Sequence, residues 1–467
     1  MTVVVAIEGG GSLAAALAAL AGQTYPAHLL DVVVVVADDR CLTPAMPALR
    51  PPNCRIVRCH GGRAAARAHG VEQSSGAIVC WLDGDIIAGP RHIEAHARWL
   101  HAHTALATIG RVWTAQAEHA RPGQQRMIQR TGGLRTVDHL GFEAFTVPGA
   151  AVSRSLYKQV GGLDPTITTG QGLEFGYRLW QAGAVLVPEP RATACATGSQ
   201  ATRRSPSDSA RLADRMPQPR WLRDHATPEP RSDTPRDAPD PTTEGSTARG
   251  VPLVRAVVPV SGAPFERVRD CLDHVLAANE RDLHVTAVHA PSTHPRDDGD
   301  WELRLTQAHF MDERRVTFSA VAPTTAFPSP YLLELPVDWA LAPHTVTKML
   351  AHADRTRAGL VELTVPGHGT VVRLWRTRAL CRGLRVRHAA ESRAEVVTAV
   401  HGRRRLRAAR GDVTPIRPPE GTEARRVGPV PPDAGAEPRR PRWWNLAARL
   451  GQARSAIRRI RARRPSS

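Results

Sequence analysis

The sequence predicts an α/β protein built on a doubly wound, mostly parallel sheet, followed by a second, degenerate α/β unit of the same kind. Three observations lead there. Short apolar, β-branched runs alternate with helical patterns from the first residues onward. Acidic residues stand at the C-terminal ends of those runs. The opening strand–helix–strand pattern then recurs after residue 250.

Val3–Ile7 is an apolar run followed by Gly9-Gly10-Gly11-Ser12, and Ser12 is placed to cap a helix carrying Leu13, Leu17 and Leu20. Gln23-Thr24-Tyr25-Pro26 stops that helix. Val32–Val36 reads as a fully buried parallel strand ending in Asp38-Asp39. Arg55–Val57 follows as strand, Ala64–Gln73 as helix, and Ala77–Leu82 as a strand that closes on Asp83. Ligands of such sheets bind beyond the carboxyl ends of the strands, the side on which these acids lie.

From Ser199 to Gly250 the composition turns to Pro, Asp, Arg, Ser and Thr, too polar to offset chain entropy by burial, and reads mostly as linker. Within it, the stretch Leu212–Leu222, with Met216 and Trp221, has the apolar residues to pack on a domain. Order returns with Val254–Val260 as strand, Val268–Ala278 as helix and Leu283–Val288 as strand. Aligned on the proline, Leu335–Pro343 overlays Leu82–Pro90 without a gap, with Asp338 on Asp85 and Pro336 on Asp83. This reads as an internal duplication whose second copy lost the acid pair, with two unrelated α/β domains as the open alternative. The expected organisation is a first domain over 1–198, a linker over 199–250, a second α/β domain over 251–402 and a basic, Pro-rich tail over 403–467.

At 467 residues the chain exceeds one ordinary core. The formal net charge is +18, carried almost wholly by arginine, since Lys158 and Lys348 are the only lysines. Such a charge suits nucleic acid, an anionic membrane or a phosphorylated substrate. No helix-turn-helix or aromatic RNA-binding signature accompanies it, so no nucleic-acid partner is expected. The seven cysteines are scattered, without a CxxC pair or a zinc-type Cys/His spacing, and read as free thiols in a reducing compartment. No signal-like N-terminus and no apolar stretch of roughly 20 residues is found, so a cytoplasmic location is expected. In the tail, Trp443, Trp444, Leu446, Leu450, Ile457 and Ile460 lie among arginines. Peripheral contact with an anionic membrane, at its inner face, and a structureless basic tail both fit that pattern.

Asp83-Gly84-Asp85 closes an apolar strand. Two carboxylates separated by one small residue at a strand end can hold a hard divalent cation from one side, leaving its open positions to diphosphate oxygens. Gly84 lets a diphosphate approach the backbone closely.

Around this DxD motif lies an ordered series of blocks: the Val-rich first strand, Leu20-Ala21-Gly22-Gln23-Thr24-Tyr25-Pro26, Val32 to Asp39, and Ala66-Arg67-Ala68-His69-Gly70. After the DGD come Gly149-Ala150-Ala151-Val152-Ser153-Arg154, Val160-Gly161-Gly162-Leu163-Asp164 and Gly176-Tyr177-Arg178-Leu179. In this order the blocks resemble the inverting, family 2 glycosyltransferases of the GT-A fold, over roughly the first 200 residues. The resemblance implies a GT-A nucleotide-sugar-binding domain and transfer of a hexose-type sugar from a nucleotide-diphosphate donor to a hydroxyl acceptor, with inversion. It implies that Asp38 or Asp39 contacts the nucleoside, that Arg67 lies near the nucleotide, and that Asp83 and Asp85 bind the metal-diphosphate, the metal being Mn²⁺ or Mg²⁺. A glycan or lipid-linked acceptor of a cell envelope would suit a basic, membrane-facing enzyme.

The departures are as informative. Where the family has Glu-Asp, the Asp being general base on the acceptor hydroxyl, this chain reads Gln171-Gly172, and neither can take a proton. Glu174 is the nearest carboxylate and the candidate catalytic residue, although two residues along a helix turn a side chain roughly 200° away. Ala196 stands where a metal-assisting His is common, and Ala68 follows Arg67 in place of Asn. Ala6-Ile7-Glu8-Gly9 replaces Pro-x-Tyr-Asn and brings Glu8 among the nucleotide-side candidates. Plainer readings stand beside these: Arg67 as a surface arginine, Asp38-Asp39 as a loop cap, Arg178 as an ion-pair partner of Glu174 one turn away, Cys195 as a buried thiol. Two functions therefore remain: an active transferase, or a catalytically degenerate relative that binds nucleotide-sugar or glycan and serves as partner or scaffold.

Overall fold

Uninterrupted valine runs can bury both faces of a strand, and β-branched side chains suit the pleat. That is how β1 (Thr2–Ile7) and β2 (Asp31–Val36) sit: parallel to each other, with every side chain but Asp31 buried. The computed structural model describes residues 1–8, 13–37, 45–114, 122–137, 139–198, 205–217, 250–290 and 299–416. Ser12, Asp38, Asp39, Trp221 and the aromatic stretch of the tail lie outside them. Residues Met1–Arg417 make one compact unit.

In the first sheet β3 (Cys54–Arg58), β2, β1 and β4 (Ile78–Asp83) run parallel. The sheet continues through β7 (Ala150–Ser153), β6 (Leu106–Thr114), β8 (Val185–Ala196) and β5 (Ile86–Ala88). β7 is antiparallel to both β4 and β6, and β8 is parallel to β6. The last residues of β8 also pair antiparallel with β5, Ile86 opposite Ala196, which ties the β4–β5 turn to the end of β8. α1 (Leu13–Ala21) buries Leu13, Leu17 and Leu20 as the periodicity predicts. α2 (Gly62–Glu72), rich in alanine, lies close on one face, and α3 (His92–Ala102) lies on the other. α4 (Pro122–Arg130), α5 (Arg154–Gln159) and α6 (Gln171–Gln181) complete this half.

The second half repeats the plan. α7 (Pro206–Arg215) precedes β9 (Val254–Pro259), α8 (Phe265–Leu276), β10 (Leu283–Val288), α9 (Gly299–His309), β11 (Val316–Ser319), β12 (Tyr331–Glu334) and β13 (Trp339–Leu341). Then come α10 (Thr345–Thr356), β14 (Leu360–Val365), β15 (Gly369–Arg376), α11 (Thr377–Val386), α12 (Arg393–His401), β16 (Arg403–Arg407) and β17 (Val413–Pro415). The strand order β11-β10-β9-β12-β15-β14-β16 matches β3-β2-β1-β4-β7-β6-β8 position by position. Each corresponding pair also runs in the same sense, and β13 pairs antiparallel with β17 much as β5 does with the end of β8. The shared order and senses favour duplication over coincidence. The gapless overlay holds through the turn: Tyr331 starts β12 as Ile78 starts β4, and β13 (Trp339–Leu341) falls on β5 (Ile86–Ala88), although β12 itself ends at Glu334, ahead of Pro336.

Two boundaries move. The 199–250 segment contains α7, started by a Ser205 cap and a proline in its first turn. Most of its surface is polar, which is why it read as linker. One stripe is not: Leu212 and Met216 join the first core, and the buried Asp208 accepts from Thr168 N at 2.9 Å, Thr168 Oγ1 at 2.6 Å and Thr169 N at 3.1 Å. The second domain does not end at 402 either. Its sheet takes in β16, whose arginines looked like tail. Buried Glu362 on β14 faces them, 3.0 Å from Arg403 Nε and 3.6 Å from Arg405 Nε, so two arginines of this edge strand pair with a carboxylate within the sheet.

The halves meet where α6 faces α11. The Arg378 guanidinium lies 3.3 Å from the Trp180 ring centroid, and Arg385 Nη2 donates to Ala182 O at 3.1 Å and to Gln159 Oε1 at 2.8 Å. Among the described residues no helix is long and apolar enough to cross a membrane.

Candidate functional site at the β4–β5 turn

Asp83 is the last residue of β4, opposite Ala6 of β1 and fully buried. A buried carboxylate needs a partner, and α2 supplies two. Gly61 and Gly62, at φ 104° and 80°, turn the chain sharply into α2 and bring Arg63 and Arg67, one helical turn apart, over the strand end. Arg67 Nε donates to Asp83 Oδ1 at 3.1 Å and Arg67 Nη2 to Oδ2 at 2.6 Å, the two-pronged geometry in which a guanidinium binds a carboxylate most strongly. Arg63 Nη1 reaches Oδ2 at 3.3 Å, and its Nε lies 3.6 Å from Glu8 Oε2 at the end of β1. Trp81 Nε1 donates to Arg67 O at 3.3 Å and fixes the helix against the strand. Arg67 is only 8% exposed and is not a surface arginine. Glu8, Arg67 and Asp83 therefore gather at one place; Asp38 and Asp39 lie outside the described residues.

Asp85 sits half-buried in the turn. Its carbonyl accepts from Thr197 N at 2.8 Å and Thr197 Oγ1 at 3.0 Å, and Gly198 packs against its carboxylate, which a side chain there would displace. Burial above all, and then the negative charge of Asp83, push the Asp85 carboxyl above its usual range, with Arg63 and Arg67 pulling the other way. An anion in such a place gains from a divalent cation. A hard ion commonly takes one or two carboxylates and fills its remaining positions with phosphate and water oxygens, which fits Asp85. Both oxygens of Asp83 are already held by guanidinium groups. Ala196, opposite Ile86, adds no ligand.

A second cluster of candidate residues is built by α6. Gly170, at φ 98°, starts it. Gln171 is buried, and its amide donates to Ala64 O at 3.0 Å and to Asp164 O at 2.8 Å, joining the start of α6 to the helix that carries the two arginines. At Gly172 a Cβ would stand 2.8 Å from Val147 N and 3.2 Å from Thr146 Cα, so the main chain of the preceding loop fills the place of a side chain. The position that resembles the family's base is thus closed in space as well as lacking a carboxylate.

Glu174 is buried, with both oxygens 2.6 Å from Arg178 nitrogens, as the helical spacing predicts, and with Arg215 Nη1 3.9 Å away. It lines a cavity of about 390 Å³ together with Gly161, Asp164, Arg178, Arg215 and Pro328. Asp164 was not singled out from sequence as a site residue. It accepts from Thr166 N and Thr166 Oγ1, both at 2.7 Å, and pairs with Arg215. Burial alone would raise its carboxyl, but these hydrogen bonds and the charges of Arg215 and Arg178 hold it below the usual range. Arg215 comes from α7, so the segment read as linker supplies one wall. Its only sequence signal was the amphipathic spacing of Asp208, Leu212 and Met216.

Comparison with known proteins agrees with the N-terminal resemblance. No curated protein matches the chain. Among solved structures, S. aureus TarS matches at 16% identity and a TM-score of 0.33, covering 46% of this chain and 38% of that one. S. aureus TarS 1-349 in complex with UDP-GlcNAc matches at 15% identity and a TM-score of 0.33, over 46% of this chain and 65% of that one. GalNAc-T7 with UDP, GalNAc and Mn²⁺ matches at 14% identity and a TM-score of 0.34, over 46% and 48%. The chain spans less than two thirds of each. The family evidence is more specific: residues 2–161, the stretch that holds Glu8, Arg67, Asp83 and Asp85, match glycosyl transferase family 2.

Proposed function

We propose that the chain transfers a sugar from a nucleotide-diphosphate donor to a hydroxyl acceptor, with the donor seated at the β4–β5 turn. The observation that carries this reading is the Arg67–Asp83 pair beside Asp85, at the C-terminal ends of parallel strands, where such sheets bind ligands. In this reading Asp85 holds Mn²⁺ or Mg²⁺, and Asp83 keeps Arg67 and Arg63 aimed at the nucleotide side rather than ligating the ion itself. Glu8, Asp38 and Asp39 border the nucleotide. The ion, when bound, offsets the charge of the departing diphosphate. The acceptor hydroxyl attacks the anomeric carbon from the opposite side and gives its proton to Glu174, the bond to the diphosphate breaks, and the configuration inverts. A hexose donor and a glycan or lipid-linked envelope acceptor are the classes we favour, with the basic tail as a membrane contact.

One observation favours a second reading, binding without transfer. Val147 closes the base position at Gly172, and Glu174 can accept a proton only by giving up part of its hold on Arg178. Incubation of the pure protein with UDP- and GDP-sugars and Mn²⁺ separates the two. Binding and donor turnover that both vanish in Asp85→Ala, with turnover alone lost in Glu174→Gln, support transfer. Binding without turnover under any acceptor supports the scaffold, and no binding of any donor ends both readings.

A further inference from the structure

Side chains alternate along β4, so Cys80 faces away from Trp81 and Asp83, toward α3 on the other side of the sheet. There it meets His92 and His96, one helical turn apart on α3, and all three are completely buried. Sγ of Cys80 lies 3.9 Å from His92 Nε2, and one ligand atom from each residue lies within 4.8 Å of the others. The spacing His-x-x-x-His was present in the sequence, but its cysteine comes from a strand that sequence alone does not set against the helix.

The hydrogen bonds fix both imidazoles in one tautomer. His92 Nδ1 is 3.0 Å from Thr193 O, which can only accept, so Nδ1 carries the proton. Thr108 gives its hydroxyl proton to Ala151 O at 3.1 Å, so its Oγ1 accepts from His96 Nδ1 at 2.8 Å. Each ring therefore keeps a bare Nε2 lone pair, and that of His96, fully buried, has no hydrogen-bond partner among the described residues. An Nδ1–H held by a carbonyl or hydroxyl, with Nε2 left bare, is the arrangement of metal-binding histidines.

We propose that Cys80, His92 and His96 form a three-coordinate site for a soft, thiophilic metal ion, Cu(I) in preference to Zn(II), that fastens α3 to β4. One thiolate and two neutral imidazoles cancel the charge of a monovalent ion, whereas a divalent ion would leave a net buried charge and lack its usual fourth ligand. Binding forms the metal–sulfur bond and releases the thiol proton to solvent, without any change of oxidation state. Because the pocket is sealed, the ion enters while the chain folds. The site is separate from the hard-cation position at Asp85, which lies at the strand end and offers oxygen.

The test is to express the full chain in copper- or zinc-supplemented medium, purify it with reductant and a chelator for loosely held ions, and count metal per chain by mass spectrometry. One copper ion per chain is expected, with sulfur and nitrogen scatterers in its X-ray absorption spectrum. Copper should be lost in Cys80→Ser and in His96→Gln and kept in Cys271→Ser and Asp85→Asn. Copper absent from wild type, or unchanged in the first two variants, overturns the proposal. So does zinc bound in place of copper. Should the variants fail to fold, the wild-type spectrum still decides, since copper without a sulfur neighbour also overturns it.

Discussion

The Arg67 guanidinium spans both carboxylate oxygens of Asp83, and both side chains are buried. Removing one charge strands the other. Asp83→Asn should cost about 3–5 kcal/mol of stability, the range for breaking a buried ion pair from one side. Arg67→Met should cost less, because Arg63 still reaches Oδ2. Denaturant unfolding of the two variants checks this order. Equal losses, or none, would show that the pair is not the organising contact of the turn. Binding of a nucleotide-sugar, followed by calorimetry, should be lost in both.

Restoring the family-like acid at 172 should fail. Gly172→Asp drives a Cβ against Val147 N, and overpacking of this kind costs about 1–3 kcal/mol. The expected result is a lower midpoint of thermal unfolding and no gain in donor turnover. A stable variant with new transfer activity would refute the view that the 146–147 main chain closes the position.

Asp85 carries a pH signature. Its carboxyl is raised in the folded chain, mainly by burial and then by Asp83, so its ionised form weakens the fold. That penalty is absent below the ordinary carboxylate range, where the group is protonated in both states, and grows as pH rises through the raised value. Asp85→Asn should therefore raise Tm at neutral pH. The advantage should shrink toward pH 4 in scanning calorimetry, and Mn²⁺ should stabilise the wild type alone. An Asn variant that is less stable at pH 7 would contradict this.

Asp208 has the opposite sign. Burial by itself would raise its carboxyl, but hydrogen bonds from Thr168, Ser205 and the Thr169 main chain outweigh it and hold the group low. Its contribution is full above the ordinary carboxylate range and is lost only as pH falls through the lowered value. Asp208→Asn should loosen α7 at neutral pH, seen as faster amide exchange over 205–216 with the β1 and β4 amides unchanged. Uniform exchange across both regions would mean that α7 is not held by this residue.

The parallel half of the first sheet was legible because β1 and β2 are valine runs whose burial needs no special partner, and because α1 and α2 carry clean periodicity, whereas the strands beyond β4 carry no such run. Less was legible where one residue matters only through a distant neighbour. Glu362 makes β16 a strand rather than a tail, and Thr108 decides the tautomer of His96, yet neither pairing leaves a mark in local composition. The Glu174–Arg178 contact was readable from helical spacing. The closure at Gly172 was not, since it depends on a loop that precedes it by many residues.

Pro328 belongs to the second half, yet it lines the cavity beside Glu174, and its carbonyl accepts the Tyr177 hydroxyl at 2.8 Å. The two halves are therefore unequal dependants: the first carries Glu174 and Asp164, and the second supplies part of the enclosure around them. A protease nick between the halves could leave the shape intact, but discarding everything after the nick would take a wall with it. Transplanting this site into another scaffold would accordingly mean moving both halves, not the first sheet alone.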